Sequence, residues 1–247
     1  MKRGLVSITF RNLSCEEIIA QCVKNGLEYV EWGGDVHIPA GNVQRAAEVR
    51  RLCAEAGLVP AGYGSYYNAA SDVSGFQPVL DTALALGARY VRIWAGKKCE
   101  FDERIAANVA RCVAAAAPHG LAVTLECHRW TMTEDPDLAV SLAARTGCML
   151  HFQPNPDVPF ERNLYALRAS LPYLCACHVF AWDKGVDGVR GSDVRLPLVD
   201  RLGDWRQYFA LAPDAYYLME FVKDNTLQQL ADDAATLAML GRTGDTL

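Results

Sequence analysis

Residues 123–130 read VTLECHRW. The run opens as a buried strand, with Val123, Thr124 and Leu125 in succession, and then brings Glu126 and His128 one residue apart. In a strand, residues two apart point to the same side. An apolar strand therefore ends by aiming a carboxylate and an imidazole in one direction, although an isolated buried carboxylate is costly. Helix-like segments flank the stretch: DERIAANVARCVAAAAPHG before it and EDPDLAVSLAARTG after it. The strand belongs to a strand–helix repeat, and that repeat decides the fold.

The alternation runs outward in both directions. GLVSITF, LEYVEWGG, LVPAGYGSYY and ARYVRIWAG read as strands one to four, and CMLHFQPN, YLCACHVFAW and AYYLMEFV as strands six to eight. Helical spacing fills the intervals. The first helix, SCEEIIAQCVKNG, carries Ser14 as N-cap, Glu17 three residues later and a Gly stop. Eight units with near-continuous apolar strands predict buried parallel strands. A doubly wound sheet of eight strands is the alternative. With no linker or break in composition, an α/β fold of the (β/α)8 TIM-barrel type, one domain over 1–247, fits better. In that fold the chemistry gathers at the carboxyl ends of the strands.

Composition narrows the classes. The chain has 247 residues, 51% hydrophobic and 21% charged, which suits a globular protein with a substantial core. Net charge is −5 and no basic run is visible, so nucleic acid is not expected as a partner. Nine Cys, an odd number with no CxxC pair, mostly sit in apolar runs and predict free buried thiols in a reducing cytosol. The opening apolar run is broken by Arg11 and Asn12, too early for a signal sequence, and no segment reaches membrane-spanning length. The expectation is a cytoplasmic protein with no membrane association.

Four consecutive strands carry polar groups in apolar surroundings. Strand five has Glu126 and His128. Strand six has His151 and Gln153, strand seven has His178, and strand eight has Glu220 between Met219 and Phe221. Each taken singly has a structural explanation, such as an ion pair or a satisfied core histidine. Four at equivalent places on strands that a barrel makes neighbours call for one cause. Carboxylates, an imidazole and an amide oxygen suit one divalent metal ion, Mn²⁺, Mg²⁺, Co²⁺ or Zn²⁺, with positions left for substrate.

Over essentially its whole length the chain resembles the xylose-isomerase-like TIM-barrel superfamily of sugar (phosphate) isomerases and epimerases. The stretches EWGGDVHIP, VRIWAG, LECHRWTMTED, HVFAW…RLPL and LMEFVKD carry the resemblance. It implies a metal held by Glu126, Gln153, His178 and Glu220. Gln153 stands where relatives have Asp, which leaves two carboxylates in place of three. The resemblance also implies an isomerase or epimerase acting on a sugar, sugar acid or related polyol by proton transfer through a metal-stabilised enediolate. Glu126 and Glu220 would be the catalytic pair. Arg195 resembles a position that reaches towards substrate oxygen. Relatives often associate, so a homo-oligomer is among the expectations.

Further substrate contacts are expected from placement. His37 follows strand two and His128 follows Glu126, both in reach of a hydroxyl. Trp32, Trp94 and Trp182 end strands two, four and seven, where an indole face packs on a carbohydrate. Tyr63, and Ser65 beside it, would add hydrogen bonds. Glu31 is a third candidate for proton exchange. His119 reads as structural at a helix end, and Lys97 and Lys98, after strand four, as a solvated pair either of which could hold a phosphate or carboxylate. The long segment between strand seven and the next helix reads as a lid. Three alternatives stand beside this reading: a lyase or dehydratase on a keto-sugar or inosose, a sugar-binding barrel with a decayed metal site, and a repair nuclease. Five His in all and the negative charge argue against the nuclease.

Overall fold

The computed structural model describes residues 1–186, 189 and 192–241. The first helix shows how the local code is met. In α1 (Cys15–Lys24) the Ser14 hydroxyl accepts from the Glu17 N–H at 3.2 Å, and the Glu17 carboxylate accepts from the Ser14 N–H at 2.7 Å. Both donors would otherwise be unsatisfied at a helix start. Ser14→Ala is expected to cost about 1 kcal/mol, or roughly 2 to 4 °C of melting temperature at this size. Thermal unfolding would check it, and an unchanged midpoint would remove the cap from the stability account.

Strands β1 (Lys2–Val6), β2 (Tyr29–Gly33), β3 (Val59–Asn68), β4 (Tyr90–Trp94), β5 (Ala122–Glu126), β6 (Met149–Phe152) and β7 (Leu174–Val179) are parallel. With β10 (Tyr216–Met219) they close a barrel in the order β1-β10-β7-β6-β5-β4-β3-β2. The expected (β/α)8 TIM barrel is therefore the observed fold. Helices α2 (Val43–Glu55), α3 (Phe76–Leu86), α4 (Glu103–Ala116), α5 (Pro136–Thr146), α6 (Phe160–Ser170), α7 (Leu202–Leu211) and α8 (Leu227–Leu240) follow the later strands. One apolar core joins helices to the outer faces of the strands, and a smaller one, with Val6, Ile8, Ala61 and Tyr90, fills the barrel.

One departure concerns the long segment expected as a lid. It contains a small antiparallel pair, β8 (Trp182–Asp183) with β9 (Val194–Arg195), which sets Trp182 opposite Arg195. Residues 187, 188, 190 and 191 of that segment lie outside the described residues. All nine Cys are free, six of them buried. Among the described residues no helix is long and apolar enough to cross a membrane.

Two glycines make the barrel interior possible. A Cβ at Gly62 would lie 2.1 Å from the Tyr90 ring, and one at Gly64 would lie 2.6 Å from the Arg92 guanidinium. Register puts Gly62 beside Tyr90 and Gly64 beside Arg92. The bare stretches of β3 are the space into which the large inward side chains of β4 fit.

Candidate active site

The carboxyl ends of β5, β6, β7 and β10 bring the four sequence-predicted metal ligands together. His178 Nδ1 lies 3.2 Å from Glu220 Oε2, 3.4 Å from Gln153 Oε1 and 3.8 Å from Glu126 Oε1. One ligand atom from each of Glu126, His178 and Glu220 falls within 4.8 Å of the others, and all three residues are buried. A second buried group, Glu31, His151 and His178, lies against the first and shares His178.

Arg92, which the sequence reading passed over, binds the two layers. Its Nε donates to Glu31 Oε1 at 2.7 Å and its Nη1 donates to Glu126 Oε2. The Trp94 indole N–H donates to the same Glu126 oxygen at 2.6 Å. The Tyr90 hydroxyl donates to Glu31 Oε2 at 2.7 Å. Glu126 thus keeps Oε1 facing His178 while Oε2 is occupied. The signal for Arg92 lay in ARYVRIW, where Tyr90, Arg92 and Trp94 alternate onto one face.

Charge runs through every protonation state here. Burial alone would push the Glu31 carboxyl up, but Arg92 and then His178 hold it well below the usual range. Burial likewise opposes the charge on Arg92, and Glu126 and Glu31 more than reverse that. The His178 imidazole is raised to about 10, since Glu220 and Glu31 outweigh its desolvation. Glu220 is lowered because His178 overcomes its burial. His151 is pushed well below its ordinary value by burial and by His178, whose ring centroid is 4.0 Å away. Neither His151 ring nitrogen, nor His178 Nε2, finds a hydrogen-bond partner among the described residues.

A cavity of about 200 Å³ opens above these groups, with Arg92, Trp94, Glu126, His128, Gln153 and Glu220 in its wall. His128 stacks on Trp94 at 4.9 Å, with Nδ1 2.6 Å from the Arg129 carbonyl. Trp182 also lines the cavity, stacked on Phe180. Arg195 lies over the Trp182 and Phe221 rings and donates to Asn225 at 2.7 Å. Tyr66 and Arg11 join them, their hydroxyl and guanidinium 2.8 Å apart. Arg129 is pinned to Asp157 at 2.8 Å and Asp193 at 2.5 Å, tying the end of β5 to the loops after β6 and β7.

Four residues expected as substrate contacts lie outside the cavity wall: Trp32, Tyr63, His37 and Arg195, the last beside it on the Trp182 and Phe221 rings. Strand alternation gives the reason: Glu31 takes the inward position of β2, so Trp32 turns outward, and Gly62 and Gly64 do the same to Tyr63 on β3. The Tyr63 hydroxyl donates to the Ile38 carbonyl at 2.8 Å. His37 sits buried with Nδ1 3.0 Å from the Ser7 hydroxyl and Nε2 3.2 Å from the Leu13 carbonyl. Ser65 is spent on the Arg92 carbonyl. Lys98 is exposed beside Glu100, and His119 is exposed at the end of a short 3-10 helix.

The donor set fits a hard or borderline divalent cation. Three buried carboxylates, Glu31, Glu126 and Glu220, face one buried guanidinium, Arg92. With His178 protonated the excess is one negative charge, and it becomes two when His178 gives up its proton to serve as a ligand; burying uncompensated charge is costly.

Comparison with known proteins gives the class of barrel. No protein-family model matches the sequence, and no curated protein does. Among solved structures, the probable 3-DHS dehydratase involved in petrobactin synthesis from Bacillus anthracis superimposes with a TM-score of 0.77 at 17% identity, over 96% of this chain and 99% of that one. A xylose isomerase domain protein from Planctomyces limnophilus gives 0.75 at 15% identity, over 97% and 96%. A xylose isomerase-like TIM-barrel protein from Mycobacterium smegmatis, solved in complex with magnesium, gives 0.72 at 15%, over 97% and 96%. The chain has the xylose isomerase-like TIM-barrel fold.

Proposed function

We propose that this barrel is a divalent-metal-dependent enzyme, an isomerase or epimerase, that moves a proton next to a carbonyl of a small sugar, sugar acid or polyol. The observation that carries the reading is the convergence of Glu126, Gln153, His178 and Glu220 among three buried carboxylates that outnumber the buried cationic side chains, where a divalent ion would take the place of the His178 proton. A bound divalent ion would polarise a carbonyl and its neighbouring hydroxyl. Glu220 is the proton-transfer group, buried at the cavity wall, where its carboxylate faces His178 and takes no Arg or Trp hydrogen bond among the described residues. His128 and Arg195 hold substrate oxygens, and Trp94 and Trp182 offer ring faces to C–H surfaces. The magnesium complex among the structural neighbours supports the metal reading.

One observation favours a second reading. Epimerisation wants two free acid–base groups on opposite faces of the substrate. Here Glu126 Oε2 already accepts from Arg92 and Trp94, so the two carboxylates are unequal. One residue is enough for elimination of a β-hydroxyl if it takes the proton next to the carbonyl and hands it to the departing hydroxyl, which leaves as water; that is the chemistry of a dehydratase, and one neighbour is described as a probable dehydratase.

The test begins with metal content of protein purified without a polyhistidine tag. About one Mn, Co, Zn or Mg per chain is expected, with little retained in Glu126→Gln or Glu220→Gln. Deuterium uptake from D2O across ketoses, sugar acids and keto-acids follows. Exchange with the carbon skeleton intact supports the isomerase, and loss of water supports the dehydratase. Wild-type protein that binds no cation even in added Mn²⁺ would leave only a binding barrel.

A further inference from the structure

We infer that Arg92 and Glu31 form a charge-setting pair that governs how tightly the barrel holds its divalent cation, an inference that rests on the metal reading above. Neither residue is among the four converging ligands. Glu31 is fully buried and Arg92 is 2% exposed, so their charges are unscreened by solvent. Arg92 shares Glu126 with the cation position, holding one carboxylate oxygen while the other faces His178. Glu31 holds Arg92 through its Nε, and its own Oε1 lies 3.5 Å from His178 Nε2. The pair therefore touches two ligands from below, one through each member.

The consequence has a definite sign. Arg92 repels a cation held by Glu126, while Glu31 attracts it and neutralises Arg92. With both present, and His178 neutral as a ligand must be, the carboxylates exceed the guanidinium by two charges, which one divalent ion cancels. Without Arg92 the excess becomes three, and the cation loses its internal competitor. Without Glu31 the excess falls to one, and Arg92 is free to turn wholly to Glu126. Without both, the excess returns to two. A residue that served packing alone would weaken the site when removed and would not be rescued by a second removal.

The experiment is calorimetric titration of Mn²⁺ into metal-free protein for the wild type, Arg92→Met, Glu31→Gln, the double variant and Arg92→Lys. Arg92→Met is expected to bind about tenfold or more tightly, and Glu31→Gln about tenfold or more weakly, given Coulomb interactions at this range and burial. The double variant is expected to return to within about threefold of wild type, and Arg92→Lys, which keeps the charge, to stay near it. Should Arg92→Met unfold without metal, the double variant and Glu31→Gln still decide the matter. Weaker or unchanged binding in Arg92→Met, or a double variant that fails to return, overturns the inference. Mn²⁺ bound by Arg92→Met but not by wild type sinks the metal-enzyme reading while upholding the pair. Mn²⁺ bound by no variant overturns both.

Discussion

His178→Ala protein is expected to lose its cation and to unfold at a markedly lower temperature even before metal is added. His178 stands between the three carboxylates of the site: 3.2 Å from Glu220, 3.5 Å from Glu31 and 3.8 Å from Glu126. Metal affinity should fall by more than about a hundredfold, beyond the usual loss from removing an outer-shell partner. Proton exchange should fall with it. In the metal-free state the same substitution removes the buried cation beside Glu220 and leaves Glu31 with Arg92 alone. Breaking such an arrangement costs about 3 to 5 kcal/mol, roughly 10 °C at this chain length. Metal analysis and thermal unfolding, run on one preparation, read both effects. Loss of metal with an unchanged melting point would mean that His178 is only a ligand. A lower melting point with metal retained would remove it from the ligand set.

The ligand group was legible because each member breaks a pattern. Glu126, His178 and Glu220 are ionisable residues in runs that otherwise read as core, and Gln153 follows one such run at its polar end. Strand–helix alternation supplied the barrel, and the barrel made those four strands neighbours. Parity was harder. Trp32 and Tyr63 looked like substrate contacts because they end strands, yet each is one residue out of phase with the inward set, and a shift of one residue reverses the face. Arg92 was hidden for the opposite reason. It is in phase, but a single Arg in an apolar strand does not announce which partners it meets inside the barrel. Its environment depends on Gly64 and Glu31, contributed by strands distant in sequence. The β8–β9 pair was not legible either, since it rests on cross-strand partners in a segment with no regular period.

Those glycines give the other large expected effect. Gly62→Ala and Gly64→Ala add the same methyl group two residues apart, and they should fail differently. At Gly62 the new Cβ meets the rigid Tyr90 ring at 2.1 Å. That ring cannot swing away freely: its hydroxyl is bonded to Glu31, and it packs against His151 and Tyr216 at 5.7 and 6.0 Å. Overpacking of this kind costs about 3 kcal/mol, or roughly 6 to 12 °C, and the loss should appear in thermal unfolding with or without Mn²⁺. At Gly64 the Cβ meets the end of a long side chain, the Arg92 guanidinium at 2.6 Å, with Glu31 Oε1 at 2.9 Å. That end can move, so the stability cost should be smaller. Movement breaks the contacts from Arg92 to Glu31 and Glu126, so Mn²⁺ affinity should change by about tenfold while most of the melting temperature is kept. Equal losses of stability with no change in Mn²⁺ binding for Gly64→Ala would mean that the space beside β4 matters for packing and not for the charge it admits.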